Sequence, residues 1–166
     1  MKKNKGFSMV ELIIVIAIMA ILAGALAPAL IKYINKSRIS TDIQTANTIA
    51  TAIQTALSNE TAYDDADNYE STSWAAVSTI FNANGDSFQK AVTQTIGGSS
   101  EPTLKSKKCV ASTTGATVGS SDKEFYFKFN RSTNTVEIAD AANHVLYPTA
   151  DVCLTDDTQT SCAGSR

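Results

Sequence analysis

Histidine occurs once, at position 144, and its isolation matters. Without a second histidine or a matching acid–cysteine pattern, neither a general acid–base site nor a histidine-built metal centre is spelled out. A glycine-rich phosphate loop and a nucleophile elbow are also missing. No catalytic residue, metal or cofactor is therefore expected, and the chain reads as a substrate of enzymes, not an enzyme. Positive charge is not in excess either: 14 Lys and Arg stand against 16 Asp and Glu. Lys105, Lys107 and Lys108 form the only basic cluster after Arg38, too little for a phosphate-tracking face, so no nucleic-acid partner is expected. Cysteine is sparse and odd in number. Cys109, Cys153 and Cys162 cannot all be paired within one chain, so either one thiol stays free or none is bridged. Cys153 and Cys162 are spaced to close a short loop in an oxidising compartment; the alternative is small buried or idle thiols.

Charge and polarity are also missing from one long run. From Leu12 to Ile31 there is no charged, Asn, Gln, Ser or Thr side chain. At 1.5 Å per residue such a helix spans about 30 Å, the thickness of a hydrocarbon core, so the segment is a membrane-crossing candidate. Lys2, Lys3 and Lys5 precede it, as in a secretory signal. Two features depart from that layout: no small-residue cleavage site follows a short apolar core, and the run is long enough to stay in the membrane. Lys32, Lys36 and Arg38 flank the far side, so counting bases does not decide orientation. One carboxylate, Glu11, stands at the mouth of the run.

KKNKG followed by FSMVEL resembles the class III leader of type IV prepilins and pseudopilins. In that family a short basic leader ends in Gly, the mature chain begins with Phe, and its fifth residue is Glu. Gly6, Phe7 and Glu11 fill those places, and Pro28 falls where the family commonly has a proline. The resemblance implies that a membrane prepilin peptidase cuts between Gly6 and Phe7 on the cytoplasmic face and methylates the new amino terminus. Removing Lys2, Lys3 and Lys5 takes the bases from 14 to 11 against 16 acids, a mature side-chain charge of −5. It also implies a partner for Glu11, the amino group of Phe7 in a neighbouring subunit, and a segment before Pro28, including Gly24, that unwinds when subunits pack. Read from the residues alone, Glu11 is equally an interfacial acid favoured by the dipole at a helix N-terminus, and Gly24 and Pro28 are a simple kink.

Beyond Ile31 the helical pattern becomes one-sided. Ile39, Ile43, Ala46, Ala50, Ile53 and Leu57 recur at helical steps, which predicts one helix from Phe7 to Leu57, apolar all round at first and amphipathic later. Asn59 to Thr72 reads as an acidic loop. Asp65 and Asp67 begin like a calcium loop, but the required glycine and closing glutamate are missing. Two short helices are expected next, one presenting Trp74, Val77, Ile80 and Phe81, the other Phe88, Ala91, Val92 and Ile96, ended by Gly97-Gly98. In KEFYFKF the alternation puts Phe125, Phe127 and Phe129 on one side of a strand, and a turn at Arg131 to Asn134 leads to Val136 and Ile138, a hairpin. Leu104 to Ala111 and His144 to Tyr147 are candidate further strands. The expected fold is α+β, a pilin fold with a long N-terminal helix on a small antiparallel sheet.

The expected division is a cleaved leader at residues 1–6, a membrane or filament-core helix at 7–31, its amphipathic half at 32–58, and a globular head at 59–166. In the family the end of the head is often a disulfide-bounded or calcium-binding loop; Asp151, Asp156 and Asp157 are the acids available there. The resemblance implies a structural subunit of a type IV pilus that polymerises with itself, first in the cytoplasmic membrane with its head outside and then in an extracellular pilus. Its implied partners are the peptidase, an assembly platform and, indirectly, an ATPase. The implied uses are adhesion, aggregation, biofilm formation and surface motility. A type II secretion or competence pseudopilin, and a tethered binding protein that never polymerises, are the alternatives.

Overall fold

A computed structural model describes residues 7–98, 100–106, 123–140 and 144–150. Its first helix, α1, runs over Met9–Leu57 without interruption and includes Pro28. The chain divides into two units, Met1–Lys36 and Ser37–Arg166. In the first unit α1 is built from Ile, Leu, Val, Met and Ala, and every described residue is exposed.

The second unit is the α+β head. The part of α1 within it buries Ile39, Ala46, Ile49, Ala50, Ala52, Ile53 and Ala56. Ile43 and Leu57, expected in the same stripe, are half-buried at its margin. A four-stranded antiparallel sheet in the order β1-β2-β3-β4 completes the core: Ser71–Ala76, Tyr126–Asn130, Thr135–Ala139 and Val145–Tyr147. The expected hairpin is present, pairing Phe127 with Ile138 and Phe129 with Val136. Asn134 closes its turn at φ 51°, a left-handed conformation that Asn adopts more readily than most residues. Phe125, Phe127 and Phe129 are all buried, as the alternation requires. Phe129 meets Phe88 with ring centroids 5.6 Å apart, and Phe88 stacks on Tyr69 at 5.5 Å.

Three local expectations fail, the first two of them before α3. The acidic link is not a loop: it folds into α2, Glu60–Asp65, and a 3-10 turn, Ala66–Tyr69. Asn59 starts α2 by accepting from the N–H groups of Thr61 and Ala62, which satisfies two of the donors a helix start leaves open. The stretch carrying Trp74, Val77, Ile80 and Phe81 is not a helix but strand β1 followed by a 3-10 turn, Val77–Thr79. Ala75 and Ala76 pair with Phe127 and Tyr126, about fifty residues away. Trp74 is half-buried beside Lys128, whose Nζ lies 4.7 Å from the ring centroid. The second helix forms as expected: α3, Ser87–Ile96, ends at Gly97 with φ 74°.

Carboxylates turned inward hold these elements together. Asp86 and Gln89 form a capping box at the start of α3, and Asp65 accepts from Ser87 N at 2.9 Å. The Tyr69 hydroxyl donates to Asp86 Oδ2 at 2.6 Å. Burial first, then that bond and the charges of Asp86 and Asp65, push the phenol up to about 12. Arg131 donates to Tyr63 O and Asp67 Oδ1 and lies against the Tyr63 ring, while its backbone N–H donates to Glu70, so the hairpin turn is clamped to α2 and the turn after it. Asp140 and His144 are buried together: Nδ1 is 2.7 Å from Oδ2, and His144 N donates to Oδ1 at 2.8 Å.

Asp42 is the acid that the sequence pattern hides. It lies on the buried face of α1 with no exposed surface. Its Oδ1 accepts from Lys105 N at 2.8 Å and its Oδ2 from Ser106 N at 2.7 Å. The candidate strand at Leu104 to Ala111 is therefore different over its described part. Leu104 N donates to Lys123 O and Thr103 bridges Glu124, but the next two amides go to a side chain on α1. Residues 107–111 lie outside the described residues.

Removing the Asp42 carboxylate orphans buried amides, which costs about 2–4 kcal/mol. D42A in the detergent-solubilised full chain is expected to lower the thermal midpoint by roughly 5–15 °C. The exposed change T48A should alter stability by less than about 0.5 kcal/mol. Equal midpoints for the two variants would contradict a pinning role for Asp42. A pH effect follows from Glu101. Its carboxyl is raised from 4.5 by burial first, then by the charge of Glu124 and a hydrogen bond to it. The folded chain thus holds a proton that the unfolded chain releases, and stability falls as pH climbs from the unfolded value through the folded one. E101Q should raise the midpoint at pH 7 and leave it unchanged at pH 4; a gain of the same size at both would show another origin.

Candidate functional site at the amino terminus

Phe7 and Ser8 lie before the first helical residue, Met9, so the peptide just after Gly6 belongs to non-helical chain. Gly6 itself lies outside the described residues. Phe7 is 87% exposed, and a protease needs such an accessible, extendable segment. Ser8 begins the helix. Its Oγ accepts from Val10 N at 3.4 Å and its carbonyl from Leu12 N at 3.3 Å. Glu11 reaches back, and its Oε2 accepts from Ser8 N at 2.9 Å. The S-x-x-E spacing of a capping box was visible in Ser8 and Glu11, and this local bond is the contact that reading toward a neighbour overlooked.

Glu11 therefore has a partner within its own chain, one turn into a helix whose dipole favours a negative charge at that end. Leu12, Ile13, Ile14, Val15, Ile16, Ile18, Met19, Ile21, Leu22, Leu26, Leu30 and Ile31 are all exposed. Among the described residues one helix is long and apolar enough to cross a membrane, and none of its most apolar window is buried. A cylinder that is apolar all round has no face suited to water.

Gly24 and Pro28 stand four residues apart within this helix. Pro28 has no N–H to give the Gly24 carbonyl, and a proline ring crowds the carbonyl four residues back. A Cβ on Gly24 would meet nothing within 4 Å, so the surrounding space does not require glycine there. The helix is continuous through both, so the single chain has one missing bond rather than an open segment.

The remaining sequence candidates separate cleanly. Asp65 and Asp67, which start like a calcium loop, are occupied by Ser87 N and Arg131. His144 is 4% exposed and bound to Asp140, a packing role. Cys109, Cys153, Cys162, Asp151, Asp156 and Asp157 lie outside the described residues.

Residues 1–27 match the family model of the prokaryotic N-terminal methylation motif, the class III signal peptide of type IV pilins. Comparison with curated proteins and with solved structures gives no significant match. The head and helix together have a pilin-like α+β layout, a long apolar N-terminal helix with a small antiparallel four-stranded sheet. The motif is a mark of type IV pilins and pseudopilins, and it implies processing by a prepilin peptidase.

Proposed function

We propose that the chain is a type IV pilin, the major structural subunit of a pilus, and that it polymerises through α1. The observation that carries this reading is the helix from Leu12 to Ile31, exposed on all sides, with Glu11 alone at its head. The methylation motif over residues 1–27 supports it independently. Cleavage between Gly6 and Phe7 removes three lysines and leaves the anchor on the product. The mature subunit waits in the cytoplasmic membrane with its head outside, and a cytoplasmic ATPase acts through a membrane platform to draw it into the extracellular filament. There the apolar helices cover one another and replace the bilayer. The pilus then serves adhesion, aggregation, biofilm formation or surface motility.

Glu11 gives the polymer its axial register. Burying a carboxylate at the centre of a membrane costs about 2.5–3.5 kcal/mol on insertion scales, and less near the headgroups. Bonding to Ser8 N–H holds the carboxylate in the unassembled chain. Cleavage creates an ammonium on Phe7, and a bond between two full charges in a low-dielectric surround outweighs the carboxylate–amide bond it replaces. Exchange of the local amide for the neighbour's ammonium is therefore downhill in a low-dielectric bundle.

Mass spectrometry of the mature chain should find Phe7 at the amino terminus bearing one methyl group. E11A should still be cleaved and methylated, while its filament yield falls about tenfold or more. A persistent Met1, or normal filaments from E11A, would defeat this function.

A further inference from the structure

Charge along α1 and α2 is segregated more sharply than a membrane anchor requires. Lys32, Lys36 and Arg38 are exposed, and no other Lys or Arg occurs between Phe7 and Lys90. From Ile43 to Asn59 there is no charged side chain at all. Acids then gather at Glu60, Asp64, Asp65, Asp67 and Glu70. Three are used inside the head, by Ser87 N, by the Arg131 side chain and by Arg131 N. Glu60 and Asp64, one turn apart on α2, are exposed and bond to nothing among the described residues.

The face between these ends suits a protein partner better than water. Gln44, Asn47, Thr48, Thr51, Thr55 and Ser58 are exposed on it, although surfaces normally carry frequent charges and threonine is a weak helix former. The hydroxyls of Thr48, Thr51, Thr55 and Ser58 each donate to the carbonyl four residues back, at 3.0, 2.8, 2.7 and 3.0 Å. Their donors are already satisfied, so covering them orphans none. Alongside runs an open groove of about 470 Å³, whose lining includes Thr41, Gln44, Thr45, Thr48, Glu101 and Lys105.

We propose that a second copy of this chain docks along this face, shifted lengthwise so that Lys32, Lys36 and Arg38 of one copy meet Glu60 and Asp64 of the next. Arg38 cannot reach these acids within one chain, because the helix from Arg38 to Leu57 is about 30 Å long. The contact joins two different patches and displaces each copy along the helix axis, so it repeats as an open filament and not a closed ring or dimer. This inference rests on the pilin reading above and adds the partner surface outside the apolar bundle. Mature chains carry net negative side-chain charge, so this cation–acid contact also offsets repulsion between neighbouring heads.

The test exchanges the charges in the full-length protein, expressed in its own cells and scored by sheared filament yield. E60K/D64K and K36E/R38E should each lower the yield about tenfold or more, because like charges then face each other. Combining all four changes should restore it to within about threefold of wild type. The milder pair E60Q/D64N should lose yield by a smaller factor, which guards against misfolding of the reversed variants. Methylated Phe7 and an unchanged thermal midpoint are expected in each. Wild-type yield from E60K/D64K, or a fourfold variant as poor as either pair, would overturn the docking while leaving the pilin reading intact. A wild-type chain that is unmethylated and forms no filament would remove both.

Discussion

The apolar surface between Leu12 and Ile31 must be covered, and that need governs the first half of α1. Each large aliphatic side chain left in water forgoes about 1.5–3 kcal/mol, so the run as a whole amounts to tens of kcal/mol. No packing within the described chain supplies the cover. Lipid is one solution and a bundle of identical helices is the other, and passing between them neither gains nor loses much hydrophobic energy. The choice therefore falls to smaller directional terms. Glu11 is the strongest available, because a charge in a medium of low dielectric is the one group there with a steep distance dependence.

The head solves a different problem with the same chemical group. Asp42, Asp65, Asp86 and Glu70 each accept from backbone amides, and Asp140 holds both the amide and the ring of His144. Asp42, Asp65 and Glu70 fasten segments distant in sequence to one another, whereas the bonds of Asp86 to Gln89 and of Asp140 to His144 are local. An acidic composition is thus partly structural. Among the described residues of the head, Glu60 and Asp64 are exposed acids whose side chains make no such bond.

How far the sequence could be read depended on where each residue's partners lie. The apolar run, the amino-terminal methylation motif, the phenylalanine strand and α3 are written in local spacing, so pattern alone located them. Asp42 broke the apolar stripe and passed unnoticed because the amides it accepts from, on Lys105 and Ser106, are more than sixty residues away. Trp74 and Val77 have helical spacing, yet their segment becomes an edge strand because β2 offers hydrogen bonds that no local window contains. Asn59 was a different kind of miss. Its capping of α2 is local, but the density of acids and turn residues after it favoured reading a loop.

The bond between Ser8 and Glu11 holds within one chain the carboxylate that the proposed filament contact would use. The most direct measurement is the density of an assembled filament at side-chain resolution around Phe7 and Glu11. The account predicts the Glu11 carboxylate within hydrogen-bonding distance of the methylated Phe7 amine of an adjacent subunit, with Ser8 N–H released. A carboxylate still bound to its own Ser8, or turned to solvent, would contradict it.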